Sequence, residues 1–257
     1  MDDATEIADL RARLDRQREF MARLVHEFRS PLNAIAGFAE IMADGRFGPL
    51  GNPRYVDYAK DIRSAALQLA ELAGDMLDAA KFGSGRYTLE EARCDLAEAL
   101  RSAVSAMRGL ALRKRQTLET SLPEHLPLFA DARALRQVAI NLLSNAIKFT
   151  PADGAVRLSA GADAQGAIEF AVGDTGLGMS AEEISRAREP FKGSSDGVWG
   201  ERGSGLGLPI VRALVELHGG TVEIASERGE GTLVRVRLPA WRAHGKPPPV
   251  HPWEHAA

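Results

Sequence analysis

Val25-His26-Glu27-Phe28-Arg29-Ser30-Pro31-Leu32 lies inside a long amphipathic helical pattern. Ile7, Leu10, Leu14, Met21 and Leu24 fall at alternating steps of three and four, with Gln17 alone interrupting. Phe28, Ile35, Phe38 and Met42 continue the same seam, so the spacing predicts one helix running to about Ala43. On that register His26 lies two residues past the seam position Leu24 and points outward. A neutral histidine is a nucleophile, and an unperturbed pKa of about 6.5 leaves most of it neutral at cytoplasmic pH. Glu27 beside it is placed to orient the ring or take its proton. Pro31 removes a backbone donor and is expected to bend the helix one turn later.

Asp44-Gly-Arg-Phe-Gly-Pro-Leu-Gly-Asn-Pro53 is a loop dense in Gly and Pro. A second long helix is expected from about Arg54 to Lys81, with Val56, Ala59, Ile62, Ala66, Leu69, Leu72, Met76 and Leu77 as its apolar stripe. Two such helices form a hairpin, and one hairpin leaves a face of each unburied. Pairing two hairpins into a four-helix bundle buries both faces, so the pattern predicts a homodimer. Residues 1–24 carry their own heptad seam and read as a coiled coil continuing into the bundle. Gly83-Ser84-Gly85 ends the second helix and begins a linker.

The second half of the chain is of another kind. Asp95 caps an expected helix to about Lys114, and Asp131 caps one ending near Phe149. Gln116–Leu122 and Leu126–Ala130 read as short strands. Ala155–Ala160 and Ala167–Val172 alternate as paired strands. Gly205–His218 is helical, and Thr221–Ser226 and Thr232–Leu238 close a hairpin on Gly229-Glu230-Gly231. The fold class expected is therefore α plus α/β: a helical hairpin, then a two-layer α/β sandwich. The tail after Pro239, with Lys246-Pro-Pro-Pro-Val, is expected to be disordered.

Polar and glycine-rich boxes punctuate the sandwich. Asn141, Asn145 and Lys148 share one helix face at steps of four and three. Amide oxygens suit a hard cation such as magnesium, and a lysine offers charge to phosphate. Asp174-Thr-Gly176-Leu-Gly178 sets a carboxylate, able to accept from a base's amino group, beside two glycines. Glu189-Pro-Phe191 precedes a Gly/Ser-rich segment, and Gly203-Ser-Gly205-Leu-Gly207 leads into a helix whose N-terminus would favour phosphate. The G-x-G-x-G spacing is not the dinucleotide fingerprint, and no phosphate-binding G-x-x-x-x-G-K-[ST] loop occurs.

His26-Glu27-x-x-Ser30-Pro31-Leu32-Asn33 resembles the phosphoacceptor box of bacterial sensor histidine kinases, with Phe28 and Ser30 where the family usually has Leu and Thr. The later boxes, in the same order, resemble the ATP-binding domain that these kinases share with gyrase, Hsp90 and MutL, so the likeness covers roughly residues 15–240. It implies a dimerisation and phosphotransfer domain over 15–85, an ATP-binding domain over 92–240 and a tail over 241–257. It implies ATP and Mg2+ as cofactors, His26 as phosphoacceptor, and Glu27 and Ser30 as its assistants. It makes Asn145 the magnesium ligand with Asn141 in support, and sets Lys148 against phosphate. Asp174 would read the adenine amino group, with Thr232 joining through water, and Gly176 and Gly178 would let the base approach. Phe191 would anchor a lid, and Gly203, Gly205 and Gly207 would meet the triphosphate. Lys192 and Arg202 are candidate lid cations without a firm family match. His218-Gly-Gly, also familial, reads as a helix end. The implied function is autophosphorylation of His26 and transfer to an aspartate of a response regulator receiver domain. The loop Arg46-Phe-Gly-Pro-Leu-Gly resembles, more loosely, kinases of alphaproteobacterial cell-cycle signalling.

Alternatives stay open from sequence. Glu27 and Ser30 flank His26 as in members that act chiefly as regulator phosphatases. A catalytically inactive dimeric scaffold is opposed by the intact Asn145, Asp174 and glycine boxes. An ATPase of the gyrase or chaperone kind would have no use for His26, and Asn141 stands where those enzymes commonly carry a glutamate. Composition narrows the partners. A net charge of −3 over 257 residues gives no electrostatic footprint for nucleic acid or a membrane surface. The single Cys94 suits a reducing compartment and reads as a helix-start or core residue. No apolar run approaches the roughly 20 residues that cross a bilayer, so a cytoplasmic chain, or the cytoplasmic part of a larger sensor, is expected.

Overall fold

A computed structural model describes residues 28, 31–42, 44–63, 65, 66, 69, 73, 87–163, 165–187 and 206–243. The heptad seam of residues 1–24, the linker Gly83–Gly85 and the tail from 244 lie outside them. The chain divides into two units, Met1–Ala80 and Lys81–Ala257.

In the first unit helix α1 (31–42) and helix α2 (53–63, with residues 65, 66, 69 and 73 also helical) are joined by a tight loop. The reversal uses left-handed backbone at Gly45 (φ 59°) and Gly48 (φ 91°), which cost a glycine little. Asn52 starts α2: its Oδ1 accepts from the Arg54 amide at 3.1 Å, and its Nδ2 donates to the Phe47 carbonyl at 2.8 Å. Pro53 follows at the first helical position, where no N–H is needed. The Tyr55 hydroxyl accepts from Phe47 N at 3.1 Å and donates to Gly48 O at 2.8 Å, while Phe38 stacks on Tyr58 at 5.2 Å. These aromatic rings divide the expected stripe of α2. Tyr55 and Ala65 are buried and Tyr58, Ile62 and Leu69 half-buried, whereas Val56 (58% exposed), Ala59 and Ala66 face away. Large rings fill the groove of the hairpin, and the small aliphatic positions are left on the face that one chain does not cover.

The second unit is a sheet with helices on one side. Strand β1 (Ala92–Asp95) pairs antiparallel with β3 (Pro127–Ala130) in a small separate sheet. The main sheet comprises β2 (Thr117–Ser121), β4 (Ala155–Ala162), β5 (Ile168–Asp174), β6 (Thr221–Glu227) and β7 (Gly231–Leu238). Its order is β2-β4-β5-β7-β6, with β2 and β4 parallel and the other pairs antiparallel. Period-two alternation sends Val156, Leu158, Phe170, Val172, Val234, Val236 and Leu238 to the buried face. Asp174 and Thr232, directly paired, share that parity at one end of the sheet.

Helices α3 (Leu96–Arg113), α4 (Ala132–Phe149) and α6 (Gly207–Leu217) cover this face with Leu100, Leu135, Leu143, Ile147, Ile210 and Leu214. The opposite face carries exposed ion pairs, Arg157–Glu119 at 2.7 Å and Arg235–Glu169 at 2.8 Å. Such exposed pairs contribute little, at most about 1 kcal/mol each. The expected two-layer sandwich is present, with the Asp95 and Asp131 caps where sequence placed them.

Four details differ from expectation. Strand β1 and the short helix α5 (Ala181–Ala187) are additional. Cys94 is a half-buried strand residue, its Sγ 3.7 Å from the Ala130 carbonyl, rather than a helix start. Strands β4 and β5 run two residues further than the alternation suggested. Residues Trp241–Ala243, assigned by sequence to the disordered tail, remain in the fold within and just after a 3-10 turn at Ala240–Arg242. The reason is Arg242, only 2% exposed: its Nε donates to His218 O and its guanidinium to Phe129 O, both at 2.6 Å, and it pairs with Glu91 at 2.7 Å.

Candidate functional site

Helix α4 carries three of the singled-out side chains because its other face is apolar and buried. Asp131 begins it, with Oδ1 accepting from Arg133 N (2.9 Å) and Ala134 N (3.1 Å) and Oδ2 from Glu90 N (3.0 Å). Four residues from Gln137, Asn141 accepts the Gln137 amide at 3.0 Å. The Asn141 Nδ2 is buried and has no partner among the described residues. One turn on, Asn145 meets the first residue of α6: a side chain at Gly207 would start 3.3 Å from Asn145 Nδ2. Helix α6 starts at Leu206 without a side-chain cap. Its positive end therefore lies beside Asn145, an arrangement suited to an anion. Lys148 Nζ lies 5.4 Å from the Phe149 ring centre.

At the end of β5, Asp174 Oδ1 accepts from Gly176 N at 2.8 Å and from Thr232 N at 3.3 Å. Oδ2 has no hydrogen bond within the described residues. Burial pushes the carboxyl above its ordinary range, against the lowering effect of the two amides. Thr232 is held in turn by Ser226. The Ser226 hydroxyl accepts from Met179 N and donates to Gly231 O, both at 2.8 Å, and lies 2.8 Å from Thr232 Oγ1. A hydroxyl has one proton, and that of Ser226 is committed to Gly231. Thr232 must therefore donate to Ser226, which leaves its lone pairs to accept. Asp174 and Thr232 together offer an acceptor pair at the end of the sheet, the complement of an exocyclic amino group and a water.

The glycines of this loop serve a purpose different from the one read in sequence. Gly178 has φ 63°, and a side chain there would start 1.8 Å from the Glu227 carbonyl oxygen. At Gly176 it would start 2.5 Å from the Phe149 carbonyl oxygen. The room these glycines make is taken up by the protein's own backbone. Leu177 adds two bonds of the same sort, its N–H to Phe149 O at 3.2 Å and its carbonyl accepting from Gly229 N at 2.8 Å. The loop is thus seated between the C-terminus of α4 and the β6–β7 turn.

Of the residues singled out by sequence, Asn141, Asn145 and Gly207 come together, as do Asp174, Gly176, Gly178 and Thr232, with Lys148 on the same face of α4. His26, Glu27, Ser30, Phe191, Gly203 and Gly205 lie outside the described residues, as do Lys192 and Arg202. His218 caps the end of α6, fully buried, donating from Nδ1 to Leu214 O at 2.7 Å and accepting at Nε2 from Asp131 N at 3.2 Å. Burial lowers its pKa, and both ring nitrogens are engaged as a neutral tautomer requires, so it is a structural residue. Sequence reasoning missed Ser226, whose only signal is a position opposite Thr232 in the hairpin. It also missed Gly231, where a side chain would start 1.9 Å from Asp174 O.

The donor set fits a magnesium nucleotide. The start of α6, the Asn145 amide beside it and the Asn141 donor without a partner among the described residues suit a polyphosphate. No group of three or more His, Cys, Asp or Glu side chains able to hold a metal occurs among the described residues. A metal at Asn145 would complete its shell with phosphate and water oxygens, as magnesium does.

Comparison with known proteins gives concordant results. The model for the histidine kinase-, DNA gyrase B-, and HSP90-like ATPase matches residues 130–242, and that for the His Kinase A (phospho-acceptor) domain matches residues 16–85. The cell-division control histidine kinase PdhS of Brucella suis is 40% identical over 238 residues, 89% of this chain and 23% of the relative. The same protein from Brucella abortus gives the same figures. The chain thus spans about a quarter of the length of the curated relatives it matches. Full-length ShkA, solved in complex with AMPPNP, superimposes with a TM-score of 0.63 at 31% identity, over 86% of this chain and 45% of that one. The histidine kinase ThkA, solved in complex with the response regulator protein TrrA, has a TM-score of 0.70 at 24% identity, over 95% of this chain and 70% of that one, and shares the fold.

Proposed function

The chain belongs to the histidine kinase family, whose phospho-acceptor and ATPase domains it carries in that order, and from this premise we propose that it is the core of a two-component sensor kinase. It phosphorylates His26 from Mg2+-ATP and passes the phosphoryl group to an aspartate on a separate response regulator. The observation that carries the reading is the half-satisfied carboxylate of Asp174. One oxygen is fixed by two backbone amides, and the other has no hydrogen bond among the described residues.

Asp174 Oδ2 accepts from the adenine amino group, and Thr232 accepts through a water. The polyphosphate lies along the start of α6, within reach of Asn145, Asn141 and Lys148. Asn145 would hold a magnesium ion, which would neutralise phosphate charge there. Neutral His26 attacks the γ-phosphorus. An N–P bond forms, the bond from the γ-phosphorus to the β,γ-bridging oxygen breaks, and ADP leaves. Glu27 takes the ring proton, so the phosphohistidine is neutral at the imidazole. The protein's part is positioning and charge compensation. The uncovered α2 face bearing Val56, Ala59 and Ala66 is the surface of a homodimeric four-helix bundle. A protein that consumes ATP and serves a regulator works in the cytoplasm. Among the described residues no helix is long and apolar enough to cross a membrane.

Incubating the full chain with γ-labelled ATP tests the proposal. The label must be acid-labile and base-stable, as phosphohistidine is, and must vanish in His26→Ala while ATP affinity persists. Undiminished labelling of that variant would remove His26 as acceptor. Glu27 beside His26 and Ser30 one turn on favour phosphoaspartate hydrolysis as a second activity. Faster loss of phosphate from a phosphorylated regulator, abolished in Ser30→Ala, would establish it.

A further inference from the structure

An α-helix leaves its last four carbonyls without intrahelical partners. In α4 all four are accounted for, and by whom matters. Ala146 O receives Thr150 N (3.1 Å) and its hydroxyl (2.6 Å). Ile147 O receives Gln116 Nε2 (3.0 Å) and Lys114 Nζ (3.3 Å), and Lys148 O receives Lys114 Nζ (3.0 Å). Phe149 O is left for Leu177 N, in the loop that carries Asp174.

Three consecutive residues make this clasp. Lys114, Arg115 and Gln116 follow α3, and each reaches α4's end or the turn after it. Gln116 Nε2 also donates to Thr150 O at 2.5 Å and lies 3.2 Å from Pro151 O. Arg115 forms a two-point pair with Asp153 at 3.1 and 3.2 Å. Both members of that pair have left-handed backbone, φ 55° and 65°, which is unfavourable for a non-glycine residue. Gln116 is 5% exposed, and its orientation is dictated by chemistry: turned over, its oxygen would face three carbonyl oxygens. Its Oε1 is buried with no partner among the described residues. A buried acceptor left unmatched is destabilising, so the clasp is maintained against an opposing cost.

We propose that Gln116 is a positioning residue for nucleotide selection: by fixing the carbonyls of α4's last turn it sets Phe149 O, the seat of the Gly176-Leu177 loop, and so the place of the Asp174 carboxylate. This rests on the reading of Asp174 as the adenine acceptor. Gln116 touches no nucleotide. It acts through two backbone contacts, Phe149 O to Leu177 N and the close approach of Phe149 O to Gly176. Lys114 supports the same turn through Ile147 O and Lys148 O.

Two measurements on the full chain test this. Gln116→Met keeps the volume and removes the donors. Its Leu177 amide should exchange with solvent at least about tenfold faster than in the native chain, a shift of about 1.4 kcal/mol. The Phe170 amide in β5 should not change. ATP affinity should fall about tenfold, within what two lost hydrogen bonds supply, and preference for ATP over GTP should fall with it. In an Asp174→Asn background, Gln116→Met should leave the ATP-to-GTP ratio where Asp174→Asn put it, because no base-reading carboxylate remains to be placed. Unchanged Leu177 exchange, unchanged preference, or a further loss on top of Asp174→Asn overturns the proposal. If Gln116→Met does not fold, Lys114→Met is read in the same way and decides. The exchange measurement needs no nucleotide. Normal ATP binding by Asp174→Asn alone would therefore overturn the adenine reading, while Leu177 exchange still judges the clasp.

Discussion

Replacing Asp174 by Asn separates base reading from folding. The Asn oxygen can keep both backbone bonds, from Gly176 N at 2.8 Å and Thr232 N at 3.3 Å. The other carboxylate oxygen becomes an NH2 group, which then faces the adenine amino group donor to donor. The bond lost is one to a charged acceptor, worth roughly 1.5–3 kcal/mol. At about 1.4 kcal/mol per tenfold, ATP affinity should fall about 10- to 150-fold. Guanine presents an acceptor oxygen at that position, so GTP should lose little and the preference for ATP should collapse or invert. Stability should behave differently. Burial raises the folded-state pKa of Asp174 above 3.8, so between 3.8 and that raised value the folded chain holds more proton than the unfolded one. Stability therefore declines as pH rises through that window, and at neutral pH the ionised carboxylate is a burden that Asn removes. The variant should melt at or above the native temperature at pH 7.5. Calorimetric titration of ATP and GTP with magnesium, beside a thermal melt, measures all of this. A folded variant that binds ATP within twofold of the native chain would refute the assignment.

Other expectations are more local. Gly178→Ala adds a methyl 1.8 Å from Glu227 O at φ 63°, so the ATPase unit should lose roughly 2–4 kcal/mol, read as a lower melting temperature; a melt within 2 °C of native would contradict this. His218 has a folded pKa below its ordinary 6.5, so as pH falls below about 6.5 the unfolded chain takes up a proton that the folded chain refuses. Its contribution is fully present above that pH and lost below it. His218→Gln should flatten the fall in stability between pH 6.5 and 5, and an unchanged slope would assign that fall to other groups. Light scattering on the full chain should give twice 27.7 kDa; a monomer at tens of micromolar would remove the four-helix bundle.

Sequence revealed the parts that rest on local chemistry. Asp95 and Asp131 are side-chain caps, and a cap is visible wherever an acceptor precedes an apolar period. Asn141, Asn145 and Lys148 share a face because a helix repeats every 3.6 residues, and Asp174 meets Thr232 because both hairpins alternate strictly. What sequence could not reveal depends on distant backbone. Gly178 looked like room for a ligand, yet the space is filled by a carbonyl 49 positions later in the chain. Which part of α2 packs within one hairpin was not legible, because the spacing of Val56, Ala59 and Ala66 is as regular as that of Tyr55, Tyr58, Ile62 and Ala65. Only the aromatic packing with Phe38 and Phe47 decides which set turns inward. Gln116 carries no motif at all: its role comes from three carbonyls some 30 residues away.

The order of the main sheet sets a timetable for the growing chain. Strand β7 is the last made, yet it belongs between β5 and β6. On a ribosome adding roughly 5–20 residues per second, β5 waits about 3 to 11 seconds after its completion before Gly231 appears. Until then one edge of β5 has no neighbour, and an unpaired edge is a template for the wrong strand, including that of a sister chain on the same message. Thr232 also arrives only then, so Asp174 is held by Gly176 alone and the nascent chain has no finished place for a base. Cellular ATP, abundant during synthesis, cannot help the fold form through that contact. It can only stabilise the sheet after the final strand has slipped into its middle.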